Sequence, residues 1–98
     1  MDLWYRLKGR APVLDPTHQL QPIDERRIAR TAITPEVYVS TVFLGLDHRY
    51  TPEGPPILFE TLVFGLSADG DEPQERYTTY EAAEAGHARW VEWARHAS

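Results

Sequence analysis

The chain has no cysteine. Disulfides, thiol nucleophiles and thiolate-bound metals are therefore excluded, and a reducing compartment is permitted. No apolar run approaches the roughly 20 residues needed to cross a bilayer, so no membrane association is expected. The opening MDLWYR lacks the basic-then-apolar form of a secretory signal, and the expected location is the cytoplasm. Positive charge is also scarce: 10 Lys and Arg stand against 15 Asp and Glu, a formal net charge of −5. Proteins that grip nucleic-acid phosphates need a basic face, so general nucleic-acid binding is not expected. A glycine-rich strand-to-helix phosphate loop, a GxSxG elbow and HExxH or HxxxH spacings are all missing. These absences disfavour P-loop nucleotide hydrolysis and α/β-hydrolase chemistry and leave a metal site without motif support. No metal and no cofactor is expected.

What is present suits a single domain spanning 1–98, with 42% hydrophobic and 26% charged residues, the composition of an ordinary globular protein. The charge is unevenly spread. Residues 1–30 carry six Lys and Arg against four Asp and Glu, a balance of +2, and residues 31–98 carry four against eleven, a balance of −7.

Two apolar runs organise the chain, residues 37–46 (VYVSTVFLGL) and 57–64 (ILFETLVF). Both are rich in β-branched and aromatic residues and read as strands. The first carries apolar groups on both faces, as expected of a central strand covered by a helix on one side and by a loop or second copy on the other. Around these runs, residues 3–8 read as a strand and 10–22, with three prolines, as irregular. Residues 24–27 read as a helical turn, 28–33 and 74–78 as strands. The Gly/Asp-rich turn at 65–73 lacks the ligand spacing of a calcium loop. Thr78 and Glu81 match a capping box. Beyond them Tyr80, Ala83, His87, Trp90, Val91 and Ala94 fall on one helical face, with Trp93 beside it. The fold expected is α+β: an antiparallel sheet of about four or five strands with the C-terminal helix packed on one face.

Candidate function concentrates around the ten-residue loop 47–56, which is too long for a tight hairpin turn and rich in titratable groups. Asp47, His48 and Arg49 open it, and Glu60 follows on the next strand between Leu58 and Leu62, where an unpaired carboxylate is costly to bury. Antiparallel pairing would bring Asp47 and His48 toward Glu60, with His87 joining from the helix, and a histidine beside a carboxylate is the arrangement that acid–base catalysis requires. A binding site is the other reading, with Arg26, Arg49 or Arg76 meeting phosphates and Trp4 or Tyr77 stacking on a base.

Three blocks, STVFLGLDH (40–48), GPPILFETLVFG (54–65) and ERYTTYEAAEAGH (75–87), together with Trp4–Leu7 and residues 25–30, resemble a family of small, largely uncharacterised proteins encoded by tailed bacteriophages and prophages. The resemblance covers most of the chain; 15–24 is its variable region. It implies an accessory protein of the infected bacterial cytoplasm and carries over no catalytic residues. Small phage accessory proteins commonly inhibit host defences, by analogy alone. The expected function is therefore binding of a nucleotide-like signal or a host defence protein, as a homo-oligomer. The alternatives are a small hydrolase using Asp47, His48 and Glu60, and an anti-CRISPR-like protein inhibitor with no small ligand.

Overall fold

The computed structural model describes residues 3–49, 53–66 and 72–97. In chain order they form β1 (Tyr5–Lys8), β2 (Ala11–Leu14), α1 (Ile23–Arg26), β3 (Arg27–Ala32), β4 (Tyr38–Phe43), β5 (Phe59–Phe64), β6 (Gln74–Tyr77) and α2 (Tyr80–Ala97). Strands β3, β4, β5 and β6 make a four-stranded antiparallel sheet in that order, and β1 and β2 pair as a separate antiparallel ribbon. With α2 packed on the sheet, the architecture is α+β, as the sequence leads one to expect.

The two apolar runs supply the central strands. Strand residues alternate between faces, and here Val39, Thr41 and Phe43 of β4 and Phe59, Thr61 and Val63 of β5 are fully buried beneath α2. The intervening Tyr38, Ser40, Val42, Leu62 and Phe64 lie half-buried on the other face. The helix answers with Ala83, Gly86, His87, Val91 and Ala94. A Cβ at Gly86 would lie 2.1 Å from the Tyr77 hydroxyl oxygen and 2.3 Å from its ring. Glycine is thus needed there to admit a neighbouring aromatic ring. Below it, Phe43, Leu58, Phe59, Tyr77 and Ala83 form a core cluster onto which Tyr5 and Leu7 of the ribbon pack.

Two details differ from the sequence reading. Residues 10–22 are not wholly irregular, because Ala11–Leu14 form β2, with Pro12 opposite Leu7. A two-stranded ribbon is all edge, where a proline is tolerated. The side chain of Gln21 then accepts from the Leu7 amide at 2.7 Å and donates to the Leu7 carbonyl at 3.2 Å, completing the ribbon's outer side at that residue. The helix cap is Thr79, whose hydroxyl accepts the Ala82 amide at 3.0 Å, one residue later than the Thr78 box. Glu81 and Glu84 are thereby turned outward and both pair with Arg10; Glu84 does not meet His87, which faces the core. As expected, α2 packs on one face of the sheet. The rejected calcium-like loop lies largely outside those residues, as do positions 50–52 of the 47–56 loop. Among the described residues no helix is long and apolar enough to cross a membrane.

Candidate functional site

The loop residues are occupied in holding the loop. Asp47 Oδ1 accepts the backbone amides of Arg49 and Ile57, each at 3.0 Å, and Oδ2 pairs with Arg49 Nε at 2.6 Å. Asp47 thus ties both ends of 47–57 together, and Arg49 also donates to the Gly54 carbonyl. The His48 amide donates to the Ile57 carbonyl at 3.0 Å. Glu60 lies opposite Arg76 across β5 and β6, and the two form an ion pair at 2.9 Å with Glu60 only 9% exposed. Arg26 donates to the carbonyls of Gln21 (2.7 Å) and Phe43 (3.1 Å). Trp4 bridges to Leu46 and stacks on His18 at 6.4 Å. Among the described residues no three His, Asp or Glu side chains are placed to hold a metal ion.

His87 and Glu60 are not brought together, because they belong to opposite sides of the sheet. Thr61 faces the helix, so its neighbour Glu60 must face away. His87 instead enters a buried polar chain. Its Nε2 lies 2.9 Å from Thr31 Oγ1 and its Nδ1 2.7 Å from Thr41 Oγ1. Thr41 meets Thr61 at 2.6 Å, Thr61 meets the Tyr77 hydroxyl at 3.0 Å, and Tyr77 reaches Glu75 Oε1 at 3.1 Å. An ionised carboxylate only accepts, which fixes the direction of the whole chain. The single Tyr77 proton goes to Glu75, so Thr61 donates to Tyr77, Thr41 to Thr61, His87 Nδ1–H to Thr41, and Thr31 to His87 Nε2. Every hydroxyl proton is then used once, and the neutral Nδ1–H tautomer is assigned by this network.

The titration properties agree with it. Burial pushes the His87 pKa down, favouring the neutral ring. Burial pushes the Tyr77 hydroxyl up, and the Glu75 charge adds to it against an opposing bond from Thr61. At Glu75 desolvation works against ionisation, but hydrogen bonds from Trp90, Tyr77 and Arg89 outweigh it and hold the carboxyl below its usual range. Tyr77 is only 7% exposed, so its ring is core and offers no stacking face to a ligand.

The surface with unused recognition capacity is the sheet face opposite α2. Cross-strand partners share a face, which places three rows there: Ala32, Tyr38 and Phe64; Arg30, Ser40, Leu62 and Gln74; Arg27, Val42, Glu60 and Arg76. Tyr38 and Phe64 stack at 4.7 Å, and the Arg30 guanidinium lies 4.2 Å from the Tyr38 ring centre. Half-buried Val42 and Leu62 complete an apolar strip. Glu60 is the one carboxylate in these rows against three arginines. Residue alternation in both apolar runs carries the signal for this face, whereas attention to the loop passes over Tyr38, Phe64 and Leu62.

An α+β sheet-and-helix protein with one sheet face half-exposed is the class these observations define. No protein-family model, no curated protein and no solved structure matches the chain.

Proposed function

We propose that this protein acts by binding rather than by catalysis, and that it docks the sheet face opposite α2 on an acidic surface of a host protein. In keeping with its resemblance to tailed-phage accessory proteins, the setting is an infected bacterial cytoplasm and the partner a component of host defence. The observation that carries the reading is the Tyr38–Phe64 stack with Arg30 over Tyr38 on a half-exposed face. Aromatic residues and arginine are enriched in protein interfaces, and Lys, Asp and Glu are depleted. The face has that composition. Arg76 and Arg27 are paired with Glu60 and Asp24, which leaves Arg30 as the net positive charge of the face; a symmetric pairing would oppose two such charges, whereas an acidic partner is complementary.

The other readings have less support. A hydrolase using Asp47, His48 and Glu60 would need a carboxylate to orient the histidine, and Asp47 and Glu60 are tied in ion pairs with Arg49 and Arg76. A nucleotide held by Arg26, Arg49, Arg76, Trp4 or Tyr77 would have to displace interactions those residues already make.

The test is affinity capture from bacterial lysate with the full chain and with a Tyr38→Ala/Arg30→Glu variant, followed by calorimetry on the purified partner. The wild type is expected to retain an acidic protein, and the variant to bind it at least about tenfold more weakly, as loss of an aromatic and an arginine anchor implies. Equal capture by a variant with native-like melting would refute the reading. A dimer in sedimentation that the same variant dissociates would replace the host partner with a second copy.

A further inference from the structure

The proposed docking face ends at an open strand edge. Strand β3 is paired on one side only, with β4. The Ile33 amide donates to the Val37 carbonyl at 2.8 Å, and two residues back Thr31 lies opposite Val39. In an antiparallel ladder hydrogen-bonded and non-hydrogen-bonded pairs alternate. Thr31 and Ile33 therefore aim their backbone groups at β4, and Arg30 and Ala32 aim theirs outward. Neither Arg30 nor Ala32 has a backbone partner on that outer side among the described residues, and both are exposed.

The side chains along this edge add to the backbone. Arg30 and Ala32 lie on the face opposite α2, across from Ser40 and Tyr38. Arg30 meets the Tyr38 ring and, among the described residues, no carboxylate. Ala32 is the smallest residue of its row, and beside it stand the stacked rings of Tyr38 and Phe64. The row thus steps down at its outer end, where a ring from outside can lean across Ala32 toward Tyr38.

We propose, resting on the docking face assigned above, that the partner adds an extended segment to β3, antiparallel, with an aromatic residue opposite Ala32 and an acidic residue opposite Arg30. Read from its N-terminus the segment is aromatic, any residue, acidic. An extended strand presents N–H and C=O groups at the two-residue spacing of Arg30 and Ala32, whereas a helix has bonded its own. Directly opposite residues share a face, so the acid meets the guanidinium and the ring meets the Ala32 step. A second copy of β3 is a poor occupant, because RIARTA carries two arginines and no carboxylate. The other sheet edge, β6, offers less to an acid, since its Arg76 is already paired with Glu60.

The test is NMR of the isotope-labelled full chain titrated with the peptide acetyl-Thr-Val-Phe-Thr-Glu-Val-Thr-amide. The Arg30 and Ala32 amides are expected to shift and to exchange more slowly with solvent. Replacing the peptide's Glu by Lys should weaken binding at least about tenfold, as loss of a charge-assisted bond implies. N-methylation of its Phe and Glu, which removes the donors aimed at β3 and leaves the protein untouched, should abolish binding. Ala32→Pro should do the same from the protein side, at an edge position where a proline is tolerated. Unshifted Arg30 and Ala32 amides, or equal binding of the Lys or N-methylated peptide, would overturn strand addition. Capture of a host partner that Tyr38→Ala/Arg30→Glu abolishes and Ala32→Pro leaves intact would also overturn it, while the docking face would stand.

Discussion

At the scale of single residues, His87 shows how a titratable group can be settled by hydroxyls alone. Two threonines bond its ring nitrogens, and no carboxylate joins them. Its folded pKa is depressed by burial, so the unfolded chain takes up a proton near pH 6.5 that the folded chain resists. Stability should therefore be complete above about pH 6.5 and fall as the pH drops from there toward the folded value. Urea midpoints at pH 7.5 and 5.5 check this, with His87→Gln expected to flatten the change. An identical fall in His87→Gln would place the titration elsewhere.

Residue identity alone conveyed part of this. A histidine on the apolar stripe of a helix reads correctly as semi-buried. Its partners Thr31 and Thr41 lie on β3 and β4, with Thr61 behind them on β5, and all three are placed only by strand register. Glu60 and Arg76 are each conspicuous in the sequence, but as separate ligand candidates. Their ion pair follows from β5 and β6 aligning Glu60 with Arg76, a one-residue choice that would otherwise set them on opposite faces.

At the scale of elements, the helix and the two long strands were legible because their periodicities are strong. Alternation in 37–46 and 57–64 and the stripe on α2 both reappear as burial. The short elements were less so. The β2 strand contains Pro12, and nothing local distinguishes a proline-bearing ribbon edge from a loop. The helix start offered two adjacent threonines, and only backbone geometry selects between them. Thr79→Ala should lower stability by about 1 kcal/mol through loss of the bond to the Ala82 amide. Thr78→Ala should cost distinctly less. Thermal or urea unfolding of the two variants distinguishes them, and a larger loss at Thr78 would return the cap to the earlier position.

At the scale of the whole molecule, β1, β2 and α2 lie to one side of the four-stranded sheet and leave its arginine- and aromatic-bearing face half-exposed. Apolar groups on both sides of 37–46 made a second cover an expectation of the sequence; its identity depends on side chains from four strands acting together. Tyr38 and Phe64 become neighbours only through the β4–β5 register, which explains why the loop drew attention first.

The most direct measurement is methyl NMR of the full chain during addition of the captured partner. Val42 and Leu62 are half-buried on the proposed docking face, whereas Val39 and Val63 are fully buried beneath α2. Strong perturbation of Val42 and Leu62 with much smaller changes at Val39 and Val63 is the expected result. Perturbation confined to the ribbon, the 47–56 loop or α2, with Val42 and Leu62 unmoved, would contradict the assignment of the sheet face as the recognition surface.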